Sequence, residues 1–449
     1  NRNPLIIDHC CTSLLKRRVL KKSLMTVKNF SSLQPPASSL VSWLFEQQLK
    51  GISLGLEAPA ALLAALGDPQ KKRRVLHIAG TNGKGSVAAF SASILKAAGL
   101  RVGLYTSPHL VDFRERIQIN GELISLEDLD EGIRRLQSAT QGRETVPTFF
   151  ELTTALAFDY FARQKCDLIL LETGMGGLLD VTNLAADKIA CAITPISIDH
   201  QEWLGSTLAD IAREKAGIMR TGVPVVTSPQ PGEVMKVLKK EAARVGAPLI
   251  IVDQPLTPET RLGLAGSHQH WNAAVALKLV QQGPWKISHE AQDLGFKTVS
   301  WPGRFQRCLL KNGQEIVLDG AHNPAAVEQL VATWKEVFPG QKCCLVFGSL
   351  LDKEGEKMLR ILEPIASSII LVSVHSPRAA SPSELQKTVP SAMTFSSLGE
   401  VLEKKNIFVD PLAPFYSDLN PPILLTGSLF LEGEALALLQ GKVYSPSWQ

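Results

Sequence analysis

The chain has no C-x-x-C pair, and its seven cysteines (Cys10, Cys11, Cys166, Cys191, Cys308, Cys343, Cys344) are odd in number. That argues against a disulfide frame and a zinc site, and suits free thiols in a reducing compartment. No apolar run approaches the ~18 residues of a spanning helix, so no membrane association is expected. Neither sign of charge is in excess, with 47 basic against 43 acidic residues. Nothing in that balance asks for nucleic acid as a partner.

What is present is an ordinary globular composition, 45% apolar over 449 residues, enough for two to three domains with ample cores. Residues 1–38 stand apart. Arg2, Lys16, Arg17, Arg18, Lys21, Lys22 and Lys28 are opposed by one acid, Asp8, and Pro35-Pro36 follows. This reads as a disordered basic extension, with Met25 as the working initiator and a cytoplasmic location. An organelle transit peptide, also basic and acid-poor, is the alternative.

From residue 73 strands and helices alternate. "RRVLHIAG", "LRVGLYTSP", "DLILLETG", "IACAITPIS", "VPVVTSP" and "APLIIVD" read as strands, and "GKGSVAAFSASILKAAG" and "TFFELTTALAFDYFARQ" as helices. Continuous apolar strands separated by helices predict an α/β domain with a parallel sheet covered on both faces. The alternation lapses near residues 295–305. A hairpin-like "QRCLLKNGQEIVLDG" follows, with Asn312-Gly313 as its turn, and then a second α/β series. The expected units are therefore 39–299 and 300–449, with a seam suited to a site for two substrates.

"VLHIAGTNGKGSVAAF" (75–90) is nearly a phosphate-binding loop. The common form, G-x-x-x-x-G-K-[ST], places the hydroxyl residue directly after the lysine. Here Gly85 intervenes between Lys84 and Ser86. The context is still right, a buried strand running into a helix N-terminus whose N–H groups and dipole attract an anion. Gly80, Gly83 and Gly85 permit close backbone approach, and Lys84 adds a point charge. Glu172 ends an apolar strand, where open α/β sheets place their ligands.

"GTNGKGS" resembles the ATP-binding loop of the Mur ligase superfamily. "TSPHLVDFRERI" (106–117), "ETGMGGLLDVTN" (172–183), "DHQEWLGSTLADIAREKAGI" (199–218), "HQHWNAAVA" (268–276), "GRFQ" (303–306), "LDGAHNP" (318–324) and "TGSLFLEG" (426–433) narrow the likeness to its folylpolyglutamate synthase/dihydrofolate synthase branch. The likeness runs from about residue 40 to the C-terminus. It implies a P-loop-containing, Mur-ligase-like central domain with a parallel sheet, and a smaller Rossmann-like α/β C-terminal domain. The implied activity joins L-glutamate to dihydropteroate, or to the γ-carboxylate of a reduced folate, at the expense of ATP.

The resemblance also implies roles. Gly80, Thr81, Asn82, Gly83, Lys84, Gly85 and Ser86 would cradle the ATP phosphates. Asn272 would reach the adenine side, and Arg304 and Asp319 would close over ATP from the C-terminal domain. Ser107, Glu172 and His200 would be Mg²⁺ ligands. Lys215, read alone as a surface ammonium on a helix, would be carbamylated and help hold a second Mg²⁺. Lys84, His200, Lys215, Asp319 and His322 would form the catalytic set, with His322 near the incoming glutamate or the phosphates. Leu54, Gly55, Thr148, Phe149, Phe150 and Leu179 match pterin-binding positions, where an aromatic ring suits a flat heterocycle.

One position departs from the family: Leu178 stands where G-G-R-x-D-x-T-N usually has arginine, which bears on substrate anchoring and removes no expected metal ligand. A peptidoglycan-type Mur ligase and a nucleotide-dependent switch are the rival readings. The first lacks the Phe149-Phe150 and "TSPHLVDFRERI" features, and no N-K-x-D guanine motif supports the second. The expected partners are small molecules alone, and nothing demands more than a monomer.

Overall fold

Side-chain alternation along a strand puts successive residues on opposite faces of a sheet, and β5 (Leu168–Glu172) obeys it. Leu168 and Leu170 enter one apolar core, while Ile169 and Leu171 enter another. Both faces are dry, as the uninterrupted apolar run requires. The computed structural model describes residues 39–47, 55–142, 147–310, 313–405, 421–442 and 444. The expectations for 1–38, for Leu54 and for Asn312 lie outside them.

The other strands of the first sheet are β1 (Arg74–Ala79), β2 (Val102–Tyr105), β3 (Ile117–Ile119), β4 (Glu122–Leu123), β6 (Asp187–Ile193), β7 (Val225–Thr227) and β8 (Leu249–Ile251). They are ordered β4-β3-β2-β5-β1-β6-β7-β8. All pairs from β2 to β8 are parallel, but β2–β3 and β3–β4 are antiparallel. The all-parallel expectation is therefore corrected at one edge. The run there is only Ile-Gln-Ile, with Asn120 and Gly121 at positive φ turning the chain back. The connections leave β1 toward β2 on one side and later pass to β6 on the other. The crevice at the C-terminal end of β1 is thus a switch point, where such sheets bind ligands.

Helices Leu126–Thr140 and Phe149–Arg163 cover one face around Phe158 and Phe161. Helices Lys84–Ala97, His268–Val280 and His289–Thr298 cover the other around Phe90 and Phe296. Trp301 still packs with this first sheet, whereas Phe305 packs with the second.

The second sheet has β9 (Gln306–Leu309), β10 (Glu315–Leu318), β11 (Cys343–Phe347), β12 (Ala366–Val372), β13 (Met393–Phe395) and β14 (Ile423–Thr426), ordered β13-β12-β11-β14-β10-β9. Only β9–β10 is antiparallel, the hairpin the sequence signals. Helix Pro324–Val337 packs on one face through the fully buried Trp334, and helix Leu429–Gln440 packs on the other. Residues 37–449 form one compact unit, so the two sheets are lobes of a single body.

Candidate functional site

The glycines of the phosphate loop are required by contact as well as by conformation. Gly80 has φ +150°, and a Cβ there would lie 1.8 Å from Thr194 Oγ1. Gly83, at φ +85°, would place a Cβ 2.7 Å from Asn272 Oδ1. The Gly85 that interrupts the common pattern lies against Trp301, whose Nε1 would be 2.8 Å from an added Cβ. The loop is anchored below: Thr81 and Asn82 N–H donate to Pro195 O at 3.0 and 3.1 Å. Those two N–H groups are therefore engaged with the protein. The donors available to an anion are those of the first turn of helix Lys84–Ala97, which have no intrahelical acceptor.

Lys84 Nζ donates to Thr81 O at 3.1 Å and lies 4.0 Å from Glu172 Oε1. Glu172 is buried at the end of β5. Burial pushes its carboxyl up, against the pull of Lys84, Arg304 and the Ser107 N–H. Ser107 Oγ is buried without a hydrogen-bond partner. An unpartnered hydroxyl beside a buried carboxylate is a pair of oxygen donors suited to a hard cation that keeps most of its water.

The strand read in "IACAITPIS" stops short of its apolar run, and Asp199 lies on the loop beyond it. β6 stops at Ile193, and His200, left-handed at φ +51°, opens helix Gln201–Leu204. The His200 side chain is 43% exposed, yet desolvation, opposed by Asp199, lowers its pKa to about 4. Among the described residues no three His, Cys, Asp or Glu side chains gather as a metal cage.

Lys215 corrects the surface-ammonium reading. It is 4% exposed, and its Nζ donates to Gly80 O at 2.8 Å. Helix Leu208–Ala216 presses its Ile211, Ala212, Lys215 and Ala216 stripe inward, beneath the phosphate loop. Desolvation, then the nearby Lys84, lowers the Lys215 pKa to about 7.

The second lobe brings its polar groups to the same place. Asp319, at the end of β10, accepts from Phe305 N at 2.8 Å and Ala321 N at 2.9 Å. Its carboxyl is raised by burial and drawn down by Arg304. His322 Nδ1 lies 2.7 Å from Gly320 O. A carbonyl only accepts, so Nδ1 carries the proton; burial holds the ring below its ordinary pKa and leaves Nε2 with its lone pair. Asn323 caps helix Pro324–Val337 by accepting from Ala326 N at 2.9 Å, and Pro324 follows at the first helical position, a start signal legible in "HNP". The Asn323 and Asn82 side-chain amides bond reciprocally across the lobes at 3.0 and 3.2 Å.

These groups face one cavity of about 1560 Å³ between the lobes. The loop residues Gly80 to Ser86 line it, as do Ser107, Glu172, His200 and Lys215. Asn272, Arg304, Asp319 and His322 line it too, together with Thr148, Phe149, Phe150 and Leu179. Gly55 is not among the lining residues. Thr148 starts its helix with a capping box, its N–H donating to Glu151 at 2.6 Å. Phe149 is largely core, edge-on to Phe113 with the Arg116 guanidinium 5.3 Å from its ring centroid. Phe150 is half-buried against Gly174, where a Cβ would meet its ring at 2.5 Å. Leu178 is 47% exposed, off the cavity, with its N–H donating to Glu214 O at 3.0 Å.

The family model of the Mur ligase, glutamate ligase domain matches residues 303–409. The dihydrofolate synthase/folylpolyglutamate synthase of Bacillus subtilis (strain 168) is 35% identical over 420 residues, covering 87% of this chain and 96% of its own. The chain belongs to the folylpolyglutamate synthase/dihydrofolate synthase family. Its fold agrees with solved members of that family. E. coli FolC, in complex with DHPP and ADP, is 29% identical with a TM-score of 0.80, covering 91% of this chain and 99% of that one. Mycobacterium tuberculosis folylpolyglutamate synthase, complexed with ADP, is 30% identical with a TM-score of 0.81 over the same shares.

Sequence reasoning missed three groups at this family site. Asp199 was seen only as the neighbour of His200, and Lys353 and Glu432 were not singled out. Asp199 and Glu432 lie inside stretches that carry the resemblance but were given no role there, and Lys353 lies outside every such stretch. Only the fold sets Lys353 on Asp199, and Glu432 between Gly303 and Gly320.

Proposed function

We propose that the chain is an ATP-dependent ligase that joins L-glutamate by an amide bond to a pterin-bearing carboxylic acid. The acid is dihydropteroate, or the γ-carboxylate of a reduced folate. The carrying observation is the interlobe cavity, which a phosphate-loop helix with Lys84 enters from one lobe and Arg304, Asp319 and His322 enter from the other. Family membership supports the reaction, and the ADP complexes of the solved relatives support the nucleotide. Residues 39–299 would then be the ATP- and pterin-binding domain, and 300–449 the glutamate-ligase domain.

A carboxylate is a poor acyl donor. Its oxygen first attacks the γ-phosphorus of ATP, giving an acyl phosphate and ADP. The glutamate amine then attacks the acyl carbon, phosphate leaves, and the amine gives up a proton. Lys84 and the first-turn N–H groups would hold the ATP phosphates through the first step. Arg304 would add positive charge from the opposite lobe. The neutral His322, with its lone pair on Nε2, is suited to take the amine proton. The lobes would keep water from the acyl phosphate.

Mg²⁺ fits Glu172 and the unpartnered Ser107 hydroxyl, with His200 as a further ligand; when bound, it supplies charge neutralisation on the phosphates. Lys215 is suited to carbamylation by its burial under the loop, and would then present oxygens in place of an ammonium. Thr148, Phe149, Phe150 and Leu179 would hold the pterin end of the acid. The expected partners are therefore ATP, L-glutamate and the pteroyl acid, with the protein acting as a monomer in the cytoplasm. Among the described residues no helix is long and apolar enough to cross a membrane.

Phosphate release tests the reading. It should require ATP, L-glutamate and either dihydropteroate or tetrahydrofolate together, with the glutamate-bearing product identified by mass. Release with a nucleotide-sugar acid in place of the pteroyl acids would instead point to the peptidoglycan-type activity. Release independent of both acid and glutamate would refute ligation.

A further inference from the structure

Asp199 is a buried carboxylate of the phosphate-loop lobe that no step above uses. Asp199 stands between the two histidines of the site, and most of its partners come from the other lobe. Its Oδ1 accepts from His200 N at 2.9 Å and from Lys353 Nζ. Its Oδ2 accepts from Asn323 Nδ2 at 3.4 Å and lies 3.8 Å from His322 Nε2 and 4.0 Å from His200 Nε2. The Lys353 and Asp199 side chains are 9% and 7% exposed. Asn323, in turn, bonds to Asn82 of the phosphate loop.

A buried ion pair is weak evidence for stability, because desolvating both partners offsets most of their attraction. Its retained value lies in fixing one arrangement among several, and this pair joins the two lobes. Lys353 follows β11 in the second sheet, whereas Asp199 sits on the loop after β6 in the first. From these contacts we infer that Lys353 is a positioning residue: by holding Asp199 it clasps the lobes, and so sets His322 and Asn323 over the phosphate loop. Lys353 thus acts on the glutamate-dependent step through Asp199, from the lining of the same cavity. This inference rests on the ligase reading only for its kinetic readout. The clasp itself is a property of the fold.

The geometry makes a distinguishing demand. The ATP phosphates would be held chiefly by the first-turn N–H groups and Lys84, within one lobe, with Arg304 adding charge from the other. Loss of Lys353 should therefore leave nucleotide affinity within about threefold, whereas kcat/KM for glutamate should fall about a hundredfold, the scale of a misplacement of about an ångström. Lys353→Arg keeps the charge and part of the reach, and should recover part of the loss.

The test is a double-mutant cycle on the full chain with Lys353→Met and Asp199→Asn, read by kcat/KM for glutamate and by nucleotide binding. It is accompanied by hydrogen exchange of the peptide spanning residues 318–327. If Lys353 acts through Asp199, the double variant should be no worse than the worse single variant. Exchange in 318–327 should rise in Lys353→Met while the β1 and β5 peptides stay protected. Multiplying effects would mean that Lys353 acts elsewhere, and unchanged exchange in 318–327 would mean that it holds no clasp. Either outcome overturns the inference. A parent protein that makes no glutamate product fails the ligase reading alone, since the exchange experiment still decides the clasp.

Discussion

Glu432 permits the sharpest quantitative test. It lies in the first turn of helix Leu429–Gln440, fully buried, and neither carboxylate oxygen has a hydrogen-bond partner. A Cβ on Gly303 would lie 1.8 Å from its Oε1, and one on Gly320 would lie 2.6 Å from its Oε2. Desolvation pushes its pKa up to about 8; Arg304 pulls it down, and Asp319 and Glu115 push it further up. The folded state therefore keeps a proton that the unfolded chain, at the ordinary 4.5, has released. Between these two values the unfolded state binds fewer protons, so stability falls as pH rises, and levels above about 8. At about 1.36 kcal/mol per unit, the shift corresponds to at most about 5 kcal/mol, and relaxation around the site should reduce the measured figure to about 2 kcal/mol.

Glu432→Gln removes this titration and keeps the shape. Near pH 5, where the glutamic acid is neutral, the variant should match the parent or lose about 1 kcal/mol from imperfect amide pairing. Toward pH 9 it should become the more stable protein, with the gap widening by about 2 kcal/mol. Glu434, raised by burial to about 7, changes stability in the same direction but is present in both proteins and cancels. Urea melts of both proteins at several pH values measure the gap. Parallel curves, with a gap independent of pH, would refute the burial argument.

Three other outcomes are expected. Lys84→Ala should cost about 3 kcal/mol of transition-state stabilisation while the melting curve is kept, because the lysine lines the cavity and is not part of an apolar core; near-normal kcat would remove the phosphate-loop assignment. Gly80→Ala should destabilise by about 2 kcal/mol or more, since its Cβ meets Thr194 Oγ1 and its φ is disfavoured. Thr194→Ala in the same chain should recover part of that loss, and no recovery would show that the contact does not set the cost. For Lys215, ¹³C-labelled bicarbonate should give a carbamate resonance in the parent that is missing in Lys215→Met; a fully active parent without it would exclude the modification.

How much of this was legible in the sequence depended on how local the physics was. The phosphate loop was readable because a strand, three glycines and a helix start occupy sixteen consecutive residues, Val75 to Phe90. The dry strands β1, β5 and β11 were readable from their apolar runs, and the β9–β10 hairpin from its turn residues. The β3–β4 edge was not, because three residues between Arg116 and the Asn120-Gly121 turn carry too little pattern to tell a strand from a loop. Lys215 was misread although its spacing held the answer. It lies four residues after Ile211 and one before Ala216, on the buried stripe of its helix. A lysine on an apolar stripe should be asked what it is buried for before it is assigned to solvent.

Contacts across the lobes were beyond such reasoning for a different reason. Asp199 and Lys353 are 154 residues apart, and Asn82 and Asn323 are 241 apart. Nothing in "IDHQ" or "LDKE" specifies its partner; the pairing exists only because the two sheets present their strand ends to one cavity. In each lobe the sequence encodes a strand end followed by a polar loop, the most transferable signal of an α/β site. The choice of which polar loop meets which is made by the packing of the lobes. A charged residue just beyond a strand of one lobe is therefore best judged by what the facing lobe offers it. For Asp199 the facing lobe offers a lysine, a histidine and an amide. The lysine and the amide donate to it, and the His200 N–H adds a third donor from its own lobe; three donors on one buried carboxylate are what a device for fixing relative position needs, and more than a carboxylate serving stability alone would require.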